Sequence, residues 1–138
     1  MSLEQTPVLL AQGLRKSLGG QILFDGVNLS VAAGEVVAVL GESGVGKSTL
    51  LNTLAALEPL DAGTVAVAGT AISALNEDAA ARWRRQYLGF VFQAFHVLPH
   101  LSVADNVALP LLLLGQPDAA RVDHLLAHVG LEGFGPRA

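Results

Sequence analysis

Residues 41–49 carry glycines, a lysine and hydroxyl side chains at a spacing suited to binding a phosphate chain. Glycine lets the backbone curl so that its N–H groups surround an anion, because no Cβ stands in the way. A lysine at this spacing adds a positive charge at the β- and γ-phosphates, and the next hydroxyl is the expected Mg²⁺ ligand. We call residues 41–49 the phosphate loop. It fits G-x-x-x-x-G-K-[ST] and reads Gly41, Glu42, Ser43, Gly44, Val45, Gly46, Lys47, Ser48 and Thr49, with Ser48 as the Mg²⁺ ligand.

The segments on either side of the phosphate loop have the pattern that this chemistry needs. Residues 36–40 are continuously apolar, which predicts a strand buried on both faces of a sheet. Residues 47–57 place Leu50, Leu54 and Leu57 on one side, which predicts a helix. The N-terminus of that helix would offer free N–H groups and a partial positive charge to the phosphates. This strand–loop–helix context distinguishes the loop from an ordinary glycine-rich turn.

Composition excludes several other classes of protein. The chain has 138 residues, a net charge of −4 and no cysteine, so neither an electrostatically driven nucleic-acid binder nor a disulfide framework is expected. Its strongest apolar run, residues 109–114, is far shorter than the roughly 20 residues of a membrane span. Charged residues make up 14% against the usual 25% or so, which indicates either a surface that meets another chain or a core-rich part of something larger.

The remaining pattern predicts an α/β fold, a P-loop NTPase core with an antiparallel β appendage and the beginning of a helical subdomain. A composition shift near Val97 divides it into a nucleotide-binding core with its appendage, residues 1–96, and an incomplete helical subdomain, residues 97–138. Further strands are predicted over residues 8–14, 22–31, 64–68 and 87–92, and helices over residues 76–85, 102–114 and 118–129.

The lysine count narrows the class of nucleotide-binding protein. Only Lys16 and Lys47 occur, so the guanine-reading motif N-K-x-D is impossible and a Ras-like GTPase is disfavoured. Small-molecule kinases usually open with the phosphate loop, whereas two β segments precede it here. A P-loop kinase therefore stays as a weaker alternative.

The order of several motifs resembles the ATP-binding subunit of an ABC transporter. Phe92 and Gln93, which follow an apolar segment, resemble that family's Q-loop. Gly34 and Glu35 precede the phosphate-loop strand as they do in the family. Residues 59–65 also fit the family. More narrowly, residues 92–99 and 106–111 resemble its lipoprotein-release and macrolide-export branch.

The resemblance implies a function, ligands and partners. It implies binding of Mg-ATP to energise a transmembrane permease, a dimer of ATP-binding subunits, and a peripheral location on the cytoplasmic face of the cell membrane, with no nucleic acid. By the same resemblance Gln93 contacts Mg²⁺ and the attacking water, and Leu18 lies beside adenine, where the family usually has an aromatic ring.

Three further family motifs do not occur after Gln93: the Leu-Ser-Gly-Gly-Gln signature loop, a strand ending in Asp-Glu, and the switch histidine. The chain is therefore expected to be the N-terminal part of such a subunit and inactive in hydrolysis alone, with no catalytic residue identified. A nucleotide-binding module without catalysis is the other alternative that the sequence leaves open.

Overall fold

A computed structural model describes residues 6–42, 44 and 46–137, which form two compact units. The first unit ends at Arg84 and the second begins at Arg85. A mixed α/β fold is confirmed, because the first unit holds an antiparallel sheet with helices and the second is helical. The predicted boundary after residue 96 stays a prediction.

The sheet of the first unit has the strand order β2-β1-β3-β4, all antiparallel. Strands β1 (Leu9–Leu18) and β2 (Gln21–Val31) form a hairpin, and β3 (Ala62–Val67) and β4 (Thr70–Ala71) follow later in the chain. The hairpin turns at Gly19 and Gly20, with φ values of 57° and 81°. Two successive positive φ values match the right-handed twist of the flanking strands, which explains the two-residue turn.

Apolar side chains from the sheet and the segment after it form the core of the first unit. Those with the lowest exposure are Ala11, Leu14, Val65 and Ile72. Helix α2 (Glu77–Tyr87) adds Ala80 and Trp83, and its first turn is capped by Asn76, whose Oδ1 accepts a hydrogen bond of 2.8 Å from Ala79 N.

Two of the predicted strands are wrong. Residues 36–40 and 88–92 form no strand, and their side chains are open to solvent, with Val36 94%, Leu40 89% and Val91 97% exposed. A strand buried on both faces takes its backbone hydrogen bonds from neighbouring strands. Within the described residues no strand pairs with either segment. Residues 36–40 and 88–92 are therefore apolar segments that the described residues leave largely exposed.

The helix after the phosphate loop is α1 (Lys47–Leu54), three residues shorter than its predicted range of 47–57. Its end coincides with Ala56, which has a left-handed φ of 57°. The guanidinium of Arg84 binds the carbonyl of Ala56 at 2.5 Å and the carboxylate of Glu77 at 3.2 Å. Arg84 thus links α2 to the segment after α1 by hydrogen bonds.

In its described residues the second unit contains two helices, which confirm the helices predicted over residues 102–114 and 118–129 and have side-chain caps at their N-termini. Helix α3 is Val103–Leu113, and the Ser102 hydroxyl accepts a hydrogen bond of 3.1 Å from Asp105 N. Helix α4 is Ala119–His128, capped by Asp118 and followed by Gly130 at a φ of 77°. No helix in the described part of the chain has the length and apolar character needed to cross a membrane.

Candidate functional site

The N-terminus of α1 is the structural centre of the candidate site. Gly46 stands at the N-cap with a φ of 95°, and Leu50 N makes the first helical hydrogen bond, 2.8 Å to Gly46 O. The cap lacks a side-chain hydrogen bond, and the first turn carries no acidic residue. The N–H groups of the first turn and the helix dipole are therefore available to an anion.

Glycine geometry fits a loop that curls around phosphate. Gly44 has a φ of 85°, and a Cβ built there would meet nothing within 4 Å. At Gly46 a Cβ would lie 3.4 Å from the Cβ of Leu23 and 3.8 Å from Cδ1 of Phe24. Positive φ and close packing both favour glycine at position 46. Ser43 and Val45, also predicted site residues, lie outside the described residues.

Lys47 reaches back across the loop. Its ammonium donates a hydrogen bond to the carbonyl of Gly41, and its side chain is half-buried. This contact joins Lys47 to the first residue of the phosphate loop. Ser48 is exposed and Thr49 is half-buried in the first turn of α1, while Glu42 is exposed to solvent.

The β1–β2 hairpin borders the phosphate loop. Leu23 and Phe24 of β2 lie next to Gly46, and in β1 Lys16 pairs with Phe24 while Leu18 pairs with Gln21. Leu18, predicted on the adenine side, is 51% exposed at the end of β1. The hairpin thus approaches the loop at Gly46 through residues of β2.

Ser17 and Asp61 form a hydrogen-bonded clamp at the end of β1 that the sequence analysis missed. The backbone N–H and the hydroxyl of Ser17 donate to Asp61 Oδ2 at 2.6 and 2.7 Å. The hydroxyl bond contributes most to holding the pKa of Asp61 below its usual range, followed by the backbone bond, with Lys16 and Arg15 adding to it. Lys16 is buried, and its Nζ donates to Pro59 O at 2.7 Å. No local signal reveals these contacts, because the Ser17–Asp61 partners lie 44 residues apart.

Gln93 belongs to the second unit and is exposed, in a bend after Phe92. Near it in the chain, the rings of Phe90 and Phe92 are tilted at a centroid distance of 4.4 Å, and those of Phe92 and His96 meet edge to face at 4.5 Å. Its amide is therefore accessible, and its role at Mg²⁺ stays a prediction.

A family model described as ABC transporter matches residues 24–138. The chain therefore belongs to the ABC transporter family. This confirms the resemblance drawn from the phosphate loop, the Q-loop segment and the order of the intervening motifs.

Curated relatives of the chain include proteins of export and release systems. It is 45% identical over 139 residues to the lipoprotein-releasing system ATP-binding protein LolD of Alcanivorax borkumensis, covering 96% of this chain and 60% of that protein. It is 44% identical over 117 residues to the macrolide export ATP-binding/permease protein MacB of Burkholderia pseudomallei, covering 85% of this chain and 18% of that protein. The chain thus spans less than two thirds of either relative.

A solved structure shows the same fold. The dimeric ATP-binding cassette MJ0796 in a post-hydrolysis state, bound to ADP and Pi, superposes with a TM-score of 0.85 at 31% identity. The match covers 94% of this chain and 60% of that one. The chain therefore has the fold of an ABC cassette over nearly its whole length, which confirms the predicted P-loop class.

Proposed function

We propose that the chain binds Mg-ATP through the phosphate loop, as the ATP-binding part of an export system that energises a membrane permease at its cytoplasmic face. The observation that carries this proposal is the N-terminus of α1, which has no side-chain cap and no acidic residue in its first turn. Left-handed Gly44 and Gly46 precede it, and the Lys47 ammonium lies across the loop. Together they form a site suited to a polyanion.

Each residue of the site has a separate task in this proposal. The first-turn N–H groups and the N–H groups of the loop hold the phosphate oxygens. Lys47 exchanges its contact with the neutral Gly41 carbonyl for the β- and γ-phosphates, whose oxygens carry negative charge and therefore attract the ammonium more strongly. The exposed Leu18 packs an apolar side chain against the base.

Mg²⁺ fits the hydroxyl and amide oxygens that the sequence analysis assigned to it. Mg²⁺ prefers oxygen ligands, keeps several waters, and binds through few protein groups plus substrate phosphates. The exposed Ser48 hydroxyl stands in the first turn of α1, next to the expected phosphates. When bound, the ion neutralises phosphate charge. Gln93 is the second proposed Mg²⁺ ligand, and the exposure of its side-chain amide is the structural observation that supports it.

We propose no turnover of ATP by this chain alone. In-line attack on the γ-phosphate needs a positioned water with a base or its equivalent, and the Asp-Glu pair that the resemblance assigns to this task does not occur in the sequence. We expect phosphate release from the wild-type chain to equal that from the Lys47→Ala chain. Turnover that the wild-type chain shows and the Lys47→Ala chain lacks would refute this expectation.

Helix α3 is the proposed docking surface for the permease. None of its residues is buried, and Leu112 and Leu113 are 53% and 58% exposed although the helix is strongly apolar. Pro110 lies within the helix, one turn from its end. The MacB relative is named as an ATP-binding/permease protein in one chain, which supports a permease as the partner class.

A single charge on this surface tests the docking proposal. Leu112→Asp should leave folding and ATP binding intact, because the side chain is already exposed, and should abolish co-purification with a co-expressed permease. The permease probe is the part of Burkholderia pseudomallei MacB that this chain does not match. Gln116→Asp, which adds the same charge beyond the end of α3, is the matched control. Unfolding of the Leu112→Asp and Ala108→Asp chains would show that the surface is core, and undiminished capture would also contradict docking.

A further inference from the structure

The last two residues of β1 depart from the regular pairing of the hairpin. The register between β1 and β2 shifts between Lys16 and Ser17, so Ser17 pairs with Ile22 after Lys16 has paired with Phe24. The register passes over Leu23, so the extra residue lies in β2, and an irregularity of this kind bends the strand pair locally. Here it immediately precedes Leu18, whose side chain is half exposed.

Asp61, which immediately precedes β3, is hydrogen-bonded to the end of β1. One of its oxygens, Oδ2, accepts both the backbone N–H and the hydroxyl of Ser17, at 2.6 and 2.7 Å. The backbone N–H of Asp61 donates in turn to Arg15 O at 2.9 Å. The carboxylate and its own backbone thus hold β1 on both sides of Lys16, which itself donates to Pro59 O.

The clamped segment lies beside the phosphate loop. Leu23 and Phe24, the β2 residues next to Gly46, are in the strand that pairs with residues 16–18. A displacement of the end of β1 would therefore move Leu18 relative to a nucleotide whose phosphates lie at Gly46. The proposed phosphate contacts come from the loop and α1, whereas the hydrogen bonds of Asp61 described here go to Ser17 and Arg15 of β1.

We infer that Asp61 is a positioning residue for the base-binding side of the nucleotide site, acting through Ser17 on the placement of Leu18. This inference rests on the proposed nucleotide binding and adds a second determinant to it. It separates the site into two parts that different residues control. Lys47 governs affinity for the phosphate chain, whereas the Ser17–Asp61 clamp governs the additional affinity that a base contributes.

Comparing ATP with inorganic tripolyphosphate tests the inference, because tripolyphosphate has the phosphates without the base. Calorimetry on the full chain with Mg²⁺ present should show that Asp61→Ala weakens ATP binding by about three- to tenfold, the size of one or two net hydrogen bonds. Tripolyphosphate binding should stay unchanged. Asp61→Asn keeps one acceptor oxygen, so its ATP affinity should lie between those of the wild-type and Asp61→Ala chains. If the Asp61→Ala chain does not fold, the Asp61→Asn chain tests the same effect.

A double-mutant cycle with Leu18 distinguishes positioning from general stabilisation. Leu18→Ala should also lower the affinity for ATP without changing the affinity for tripolyphosphate. Adding Asp61→Ala to this variant should cause little further loss, because both changes remove the same contact. Equal losses for ATP and tripolyphosphate, or full additivity with Leu18→Ala, would overturn the inference. Failure of the wild-type chain to bind either ligand would instead contradict the proposed function, so the two failures are distinguishable.

Discussion

Replacing Lys47 by alanine should weaken ATP binding by about 10- to 100-fold. The ammonium lies across the phosphate loop on the carbonyl of Gly41, so a phosphate that enters the loop meets it directly. Charge-assisted hydrogen bonds contribute about 1.5–3 kcal/mol, and this range converts to one to two decades in the dissociation constant. Calorimetric titration of Mg-ATP into the two chains measures the difference.

Arg82→Ala is the matched control for this prediction. It also removes one positive charge, but from an exposed position on α2 outside the loop. Since exposed charges are screened by salt, its ATP affinity should stay within about twofold of wild type. Equal losses in the two variants would attribute the effect to net charge and contradict a specific contact at Lys47.

Among glycine-to-alanine substitutions in the first unit, Gly63→Ala should lower the free energy of unfolding most. A Cβ at this position would stand 2.6 Å from the carbonyl oxygen of Gly13 and 2.7 Å from the Cα of Leu14, and the φ of Gly63 is 99°. The clash is with backbone atoms of β1, which cannot move without breaking the β1–β3 pairing. Strain and overpacking together should cost about 3 kcal/mol or more.

Gly69→Ala provides the comparison for Gly63. Its φ of 82° is equally unfavourable for alanine, but a Cβ there meets nothing within 4 Å. Only the backbone strain remains, so the free energy of unfolding should fall by about 1 kcal/mol. Urea denaturation measures both variants. Similar losses in the two would show that the close approach of β3 to β1 does not determine stability.

Features defined by neighbouring residues could be predicted from the sequence. The caps at Ser102 and Asp118 depend on hydrogen bonds to the residue three positions on, at 3.1 and 3.0 Å. Gly130 ends α4 in the left-handed conformation that such a position favours. The phosphate loop likewise depends on the local conformations of Gly44 and Gly46, so its pattern of residue types was sufficient.

Features that depend on distant residues could not be predicted in the same way. The apolar residues 36–40 indicate a buried strand, yet strand formation depends on a partner that composition does not identify, and Val36 is 94% exposed. The Ser17–Asp61 clamp joins residues 44 positions apart, and neither residue type at its position signals the contact. Leu18 on the adenine side was thus predictable from the resemblance, whereas the contribution of Asp61 became visible only from the structure.

The central claim is that ATP phosphates bind at the N-terminus of α1, and amide NMR of the full chain during titration with Mg-ATP tests it most directly. The first-turn N–H groups precede the first helical hydrogen bond, which Leu50 makes to Gly46, so a bound phosphate should change their environment most. We predict the largest chemical-shift changes at Gly44, Gly46, Lys47 and Ser48, and their loss in the Lys47→Ala chain at the same ATP concentration. Saturable shifts confined to other residues, with the phosphate loop unchanged, would contradict the account.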